Sequence, residues 1–132
     1  MSITIKRKTG YIGMLTKIQI KLNDEKVASI ENNQQIDIQL PEGKALLKVT
    51  QFGTKSNEIE VKDGDIVKIT MTKLNLMIVP LMFITIFITN RMPNLKYNLN
   101  IIAFLTVLIL IASFFIEGFN IKILTHNDNY DE

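Results

Sequence analysis

The stretches LNLMIVPLMFITIFITN at residues 74–90 and YNLNIIAFLTVLILIASFFI at residues 97–116 decide the fold of this chain. Each has an apolar centre of about sixteen residues, which at a rise of roughly 1.5 Å per residue makes a helix of about 24 Å. A helix that is buried on one side carries polar residues on its other face every three or four positions. In the centre of the second stretch the polar side chains are Thr106 and Ser113, whose hydroxyls can bond to their own helix backbone. The two stretches therefore predict helices that are apolar on all sides.

Such helices need either a large protein interior or a lipid phase around them. A chain of 132 residues is too short to build a core that encloses both helices. A bilayer core of roughly 30 Å is crossed by about 17 to 25 residues, and each stretch reaches that range with its polar flanks included. We therefore predict transmembrane helices at residues 74–90 and 99–117, joined by a turn at 91–98 and followed by a polar tail at 118–132.

The residues before the first helix have a different composition and a different period. Residues 1–73 carry 12 Lys or Arg and 9 Asp or Glu, and short segments alternate between apolar and polar positions, as in KIQIKL at 17–22 and QIDIQL at 35–40. Turn signals such as Asp63-Gly64 separate these segments. This pattern predicts an all-β fold, a small antiparallel sandwich of about seven strands over residues 1–73.

Three segments of this N-terminal part carry a resemblance to a known family. They are LPEGKALLKV at residues 40–49, QFG at 51–53 and EIEVKDGDIVKI at 58–69. With them, the chain from about residue 18 to residue 71 resembles a PEGA-type domain, fused here to the predicted membrane hairpin. The resemblance implies a small β-sandwich related in shape to immunoglobulin-like domains. It also implies a module without catalytic activity.

The residue types that carry catalysis or hold cofactors form no recognisable site in this sequence. The chain has no Cys, and its single His, His126, lies in the polar tail without neighbours that would orient it. Asp63 and Asp65 flank Gly64, but the further acidic ligands of a calcium loop are missing, so a turn is the better interpretation. We therefore predict no enzyme activity, no cofactor and no metal site. A net charge of +2 is too small to indicate a nucleic-acid partner.

Charge and composition predict a location. The N-terminal segment MSITIKRKTGYIGML lacks the apolar stretch and the cleavage site of a secretory signal. Basic residues are more numerous on the domain and tail side of the two helices than in the turn between them, which favours a turn outside the cell. The many Lys, Ile and Asn residues beside two Arg indicate an AT-rich bacterial genome. We therefore predict a bacterial cell-membrane protein with two spans, whose N-terminal domain and tail lie in the cytoplasm.

These features favour a non-enzymatic membrane protein in which the β-sandwich is tethered by the hairpin and binds a protein partner, for example through an exposed sheet edge. Two alternatives remain open. The first is a membrane-active effector, or the immunity protein against one, acting through oligomerised helices. The second is an accessory subunit of a larger membrane complex. The predicted partners are the lipid bilayer and either another protein or a second copy of the chain, with no nucleic acid.

Two groups of residues are candidate contacts. Five basic residues would meet an anionic membrane surface, where each contributes about 1 kcal/mol: Lys6, Arg7, Lys8, Lys73 and Lys122. A solvated strand end is the alternative interpretation of the first three. Three small residues of the second helix are candidate contacts with the first helix: Ala103, Thr106 and Ser113.

Overall fold

The computed structural model describes residues 1–91 and 95–124, except for the side chains of Ile12 and of residues 95–98. Over these residues the chain forms nine strands, two α-helices and a short 3₁₀ helix. In chain order they are β1 (Ser2–Arg7), the 3₁₀ helix (Tyr11–Gly13), β2 (Ile18–Leu22), β3 (Glu25–Ile30), β4 (Gln35–Gln39), β5 (Lys44–Gln51), β6 (Thr54–Lys55), β7 (Ile59–Lys62), β8 (Ile66–Met71), α1 (Lys73–Thr89), α2 (Leu95–Phe115) and β9 (Phe119–Ile123).

The strands form two sheets, which together we call the β-domain. The first sheet has the order β4-β1-β8-β9, in which β1 and β8 are parallel and the other neighbours are antiparallel. The second sheet has the order β3-β2-β5, and both β6 and β7 pair with the far side of β5. The tight connection from β2 to β3 is made by Asn23 and Asp24 at φ angles of 50° and 67°, a region that these two residue types tolerate better than most.

The two sheets share one core of apolar side chains. Alternate residues of each strand point inward, as the period of two requires, and Ile18, Ile20 and Leu22 of β2 are buried as their spacing indicates. Burial of a large aliphatic side chain stabilises a fold by about 1.5–3 kcal/mol, so this core is the main source of stability of the β-domain. Its buried members are Ile3, Ile5, Ile18, Ile20, Leu22, Ile30, Ile38, Leu40, Ala45, Leu47, Val49, Val61, Val67, Ile69, Phe119 and Ile121.

The prediction of an all-β antiparallel sandwich of about seven strands is wrong. The described residues form nine strands and two helices that pack together, so the fold is mixed α/β. The β1–β8 pair is parallel, with Ile5 opposite Val67. β9 lies where the sequence predicts a polar tail, and its Phe119 and Ile121 are buried in the core. Alternation identifies a strand and its inward face, but it specifies neither the neighbouring strand nor the direction of pairing.

The helices are inserted between two neighbouring strands of the first sheet. β8 ends at Met71, α1 and α2 follow, and β9 returns antiparallel to β8 with Phe119 opposite Met71. Thr72 caps α1, because its hydroxyl oxygen accepts a hydrogen bond from the backbone N–H of Asn75 at 3.4 Å. The chain therefore leaves the β-domain and returns to it at the same place.

Within the described part of the chain, neither helix combines the length and the apolarity that crossing a membrane requires. α1 has 17 residues and α2 has 21. α2 begins at Leu95, in a segment that contains Lys96 and Asn98, and ends at Phe115.

The prediction of membrane spans at residues 74–90 and 99–117 is therefore wrong, and so are the bacterial membrane location and the function as a membrane-tethered module. The two alternatives, a membrane-active effector and a subunit of a membrane complex, required the same spans and are wrong for the same reason. Apolar composition correctly indicates two helices here, with α1 displaced by one residue from the predicted 74–90. Composition does not reveal what surrounds a helix.

Arg7 is a buried cation at the end of β1. It is 2 % exposed, and its guanidinium donates to the Thr9 hydroxyl and to the backbone carbonyls of Gly13, Thr16 and Ile30 at 2.6–3.0 Å. All of these acceptors are neutral, and burial lowers the pKa of the Arg7 guanidinium below its ordinary value. Arg7 therefore ties the loop after β1 to the end of β3. It is not available to a membrane surface, so that prediction is wrong for this residue.

We expect Arg7→Met to lower the free energy of unfolding by about 3 kcal/mol or more, because each buried carbonyl left without a donor costs about 1–3 kcal/mol. Urea denaturation followed by circular dichroism measures the change. Lys8→Met is the matched control, since Lys8 is exposed and surface substitutions usually change stability by less than about 0.5 kcal/mol. Equal effects of the two substitutions would contradict a structural role of Arg7.

Candidate functional site

The two helices pack against each other along one stripe of each. The less exposed residues of α1 recur at intervals of three, four or seven, and most of those of α2 at intervals of three or four. This is the spacing of a helix face that contacts a partner helix. Thr89 is buried at the end of α1. The stripe residues are Asn75, Ile78, Thr85 and Thr89 on α1, and Ile102, Leu105, Thr106, Ile109 and Ser113 on α2.

The remaining faces of both helices are exposed and apolar, and we call them the hairpin surface. Twenty large apolar side chains belong to it, with exposed fractions from 37 to 83 %. Aromatic side chains have roughly 150–250 Å² each and the aliphatic ones somewhat less, so at about half exposure the twenty side chains present something on the order of 2,000 Å². Folded monomers rarely expose apolar patches above a few hundred Å². The residues are Leu74, Leu76, Met77, Val79, Leu81, Met82, Phe83, Ile84, Ile86, Phe87, Ile88, Leu99, Ile101, Phe104, Val107, Leu108, Leu110, Ile111, Phe114 and Phe115.

The hydroxyl groups of the helices are satisfied within their own helix. Thr85 donates to the carbonyl of Leu81 at 2.9 Å, and Thr106 donates to the carbonyl of Ile102 at 2.7 Å. Ser113 donates in the same way to Leu110. These hydroxyls therefore need no hydrogen-bond partner outside their own helix.

The predicted helix–helix contacts divide into two groups. Thr106 and Ser113 are half-buried and lie on the stripe of α2 that contains its less exposed residues, whereas Ala103 is exposed and lies off that stripe. The small size of a side chain is therefore not enough to identify the residues of an apolar helix that contact the neighbouring helix.

The base of the hairpin is held by a network of backbone hydrogen bonds. The Thr72 hydroxyl donates to the carbonyl of Glu117 at 2.8 Å, and the Thr72 N–H donates to the carbonyl of Gly118 at 3.1 Å. The Gly118 N–H in turn donates to the carbonyl of Lys55 at 2.9 Å, which connects the hairpin to β6 of the second sheet. A Cβ at Gly118 would collide with the Cγ2 of Thr54. The hairpin is thus anchored to both sheets.

The open edge of β9 is protected by a side chain. The Asn57 amide donates to the carbonyl of Ile121 at 3.1 Å and accepts from its N–H at 2.9 Å, as a neighbouring strand would. An isolated bridge pairs Ser56 with Phe119 beside it. A partner strand is therefore not expected to add to this edge.

A second surface consists of lysines on the outer face of the first sheet. Lys6 of β1 lies directly opposite Lys68 of β8, and Lys68 lies directly opposite Lys122 of β9. We call these three residues the lysine row. Lys8 follows Lys6 on the same face, two residues along the chain. No ion pair to any of the four is present in the described residues.

Some lysines of the second sheet have acidic partners. Lys48 of β5 forms a 2.7 Å ion pair with Glu58, and the hydrogen bond that its ammonium group donates to this carboxylate raises the pKa of Lys48. Asp24 also lies 3.6 Å from Lys48, and the other described ion pairs are Lys17–Glu31 and Lys44–Glu60. Lys26, Lys21 and Lys48 also lie directly opposite one another across β3, β2 and β5, but carboxylates at Lys48 partly offset that repulsion. The lysine row of the first sheet has no such carboxylate among the described ion pairs.

A cleft of about 160 Å³ opens beside the lysine row, where β1, β8 and the start of β4 meet. We call it the basic cleft. Its cationic residues are Lys6, Lys8 and Lys68, with Arg7 beneath them. Its other lining residues are three side-chain amides: Asn33, Gln34 and Gln35.

The predicted basic contacts are thus distributed over three places. Lys6, Lys8 and Lys122 share the outer face of the first sheet, Arg7 is buried, and Lys73 is exposed at the first residue of α1. Lys68 belongs with the first group, although it is not among the predicted basic contacts. Its outward position follows from the alternation of β8, but its position beside Lys6 depends on the parallel pairing of β1 and β8.

Nothing in the described residues resembles a metal centre. No group of three or more His, Asp or Glu side chains is gathered there. The Asp63 carboxylate accepts from the N–H of Ser2 at 2.7 Å, and the Asp65 carboxylate accepts from the N–H of Lys62 at 2.8 Å, so both serve the turn at Gly64. His126 lies outside the described residues. The absence of enzyme activity therefore stays a prediction.

The chain matches no protein-family model, no curated protein and no solved structure. The assignment to PEGA-type domains is therefore wrong. The segments that suggested it, such as residues 40–49, are turns and alternating strands, and these features recur in many unrelated small β-sheets.

We expect Gly118→Ala to destabilise the protein by about 1–3 kcal/mol, the usual effect of overpacking a closely packed position. The added methyl group would meet the Cγ2 of Thr54, which belongs to a β-branched side chain with little rotamer freedom. Thr54→Ser removes that methyl group, so it should restore most of the stability lost in Gly118→Ala. Urea denaturation of the two single variants and the double variant measures this coupling. Strict additivity would contradict the proposed contact.

Proposed function

We propose that this protein is a non-enzymatic interaction module whose hairpin surface is buried against a second copy of the chain. The observation that carries the proposal is the amount of exposed apolar area on two helices that are firmly anchored to a well-packed β-domain. Leaving on the order of 2,000 Å² of apolar surface in water is unfavourable by roughly 25 cal/mol per Å². Association would remove much of that cost.

The area fits a permanent dimer. Obligate homodimers bury about 2,000–5,000 Å² in total, which is roughly 1,000–2,500 Å² on each copy, and their interfaces are more apolar than transient ones. The hairpin surface offers about that much on each chain, as estimated from its twenty exposed side chains. A surface of this size and character is larger than a transient contact needs.

Self-complementarity also favours a second copy. A two-fold interface places the same patch on both partners, so residues of like charge within it would face each other. Residues 74–90 contain no charged residue, and the helix hydroxyls are satisfied internally. Two such hairpins can therefore pack as a four-helix arrangement without burying a charge or an unpaired hydroxyl.

The anchored base lowers the cost of association. Because hydrogen bonds from Thr72 and Gly118 fix the direction in which the hairpin leaves the β-domain, little backbone freedom is left to be lost on binding. Preorganisation of this kind raises affinity by reducing the entropic cost of ordering an interface.

Sedimentation velocity of the full chain in aqueous buffer tests this proposal. We expect a dimer or a larger defined assembly, and we expect Ile84→Glu and Phe104→Glu to shift the protein toward the monomer. These side chains are 54 % and 64 % exposed in the single chain, so the substitutions place a charge in the interface without changing the core. Leu46→Glu is the matched control. Leu46 is 49 % exposed on β5, outside the hairpin, and its substitution should leave the assembly intact.

Two outcomes would overturn the proposal. One is a wild-type chain that stays monomeric and dispersed at all concentrations. The other is a chain that disperses only in detergent micelles or associates with lipid vesicles, since the occupant of the hairpin surface would then be lipid and not a second copy.

A further inference from the structure

The lysine row is an arrangement that folding alone does not favour. Like charges directly opposite each other on neighbouring strands are destabilising, and the row places three ammonium groups side by side across β1, β8 and β9. The nearest acidic residue on this face of β4, Asp37, lies opposite Thr4 and accepts a 2.6 Å hydrogen bond from its hydroxyl. The described residues thus supply no counter-ion to the row.

The basic cleft contains Lys6, Lys8 and Lys68, and a buried cation, Arg7, lies beneath it. The Arg7 guanidinium is buried among neutral acceptors, and none of its hydrogen-bond partners is a carboxylate. A buried charge without a counter-ion adds to the potential at the surface above it, because low-dielectric surroundings screen it weakly. The basic cleft, which Arg7 helps to line, therefore has the positive potential of four cations.

The size and lining of the cleft suggest the kind of ligand. A volume of about 160 Å³ corresponds to roughly five water molecules at about 30 Å³ each, and a phosphate ion has five heavy atoms. A phosphoryl group carries about two negative charges at neutral pH and can therefore pair with several ammonium groups. A carboxylate carries only one negative charge and would pair with fewer. The amides of Asn33 and Gln35 can donate to phosphoryl oxygens and also accept from a protonated one.

We propose that the basic cleft binds the phosphoryl group of a small anionic molecule, with Lys6, Lys8 and Lys68 as its cationic contacts. This site is separate from the hairpin surface and does not depend on the proposed self-association. Anion binding offsets the repulsion within the lysine row, so the row is stabilised when the ligand is bound and destabilising when the cleft is empty.

Calorimetric titration of the full chain with inorganic phosphate and with pyrophosphate tests the site. We expect saturable binding that weakens as the salt concentration rises, because the contacts are charged and partly exposed. Lys6→Gln and Lys68→Gln should each weaken binding about tenfold, as expected for loss of one charge-assisted hydrogen bond. Lys26→Gln, on β3 of the other sheet, should leave the affinity unchanged.

A second measurement separates binding from structure. Without ligand, Lys68→Gln should raise the midpoint of urea unfolding, because the central charge of the lysine row is removed; a lysine with a purely structural role would lower it. At the same concentration, added phosphate should raise the midpoint of the wild type more than that of Lys68→Gln.

Three results would overturn the assignment. The first is no saturable binding of phosphate or pyrophosphate. The second is an equal loss of affinity in Lys26→Gln, which would indicate general attraction to a basic protein. The third is binding of vesicles containing anionic phospholipids with no binding of the free anions, which would identify a lipid headgroup as the source of the phosphoryl chemistry.

Discussion

The structure depends on the pairing of β8 with β9 across the inserted helices. Met71 and Phe119 face each other in register, although the whole hairpin lies between them in the chain. This pairing brings Phe119 and Ile121 into the core, where both are buried. It also fixes the two ends of the hairpin beside each other and supplies the third member of the lysine row. The core, the placement of the hairpin and part of the lysine row therefore all depend on the β8–β9 pairing.

Much of the local structure follows from the sequence, whereas the pairing does not. Alternation correctly predicts the inward faces of strands such as β2, and uncharged apolar stretches correctly predict the two helices. The parallel β1–β8 pair joins residues about sixty positions apart, and alternation contains no information about such a partner. The segment FNIKI at 119–123 alternates too briefly to reveal that it completes a sheet. Apolar composition indicated the helices but misled about their surroundings.

In the candidate sites, too, the sequence predicts local features but not the contacts that depend on long-range pairing. Lys6, Lys8 and Lys122 stand out by charge alone, but the lysine row needs Lys68, whose place in it depends on long-range register. Arg7 is a different case. Ile3, Ile5 and Arg7 occupy the same face of β1 because side chains alternate along a strand, so the spacing already indicated that this cation points inward. Its neighbours in the basic run, Lys6 and Lys8, drew attention away from that spacing.

The position of the hairpin between paired strands also has a consequence for the order in which the chain folds. Closing a flexible loop of about 47 residues costs roughly (3/2)RT ln n, or about 3.4 kcal/mol, before any β8–β9 contact forms. Two helices that have already paired bring Thr72 and Gly118 together, and the loop that remains to be closed is then short. Contacts within the hairpin are local in sequence and form quickly, whereas sheet pairing between distant segments is slow. The helices are therefore expected to pair first and to deliver β9 to the sheet as its last strand.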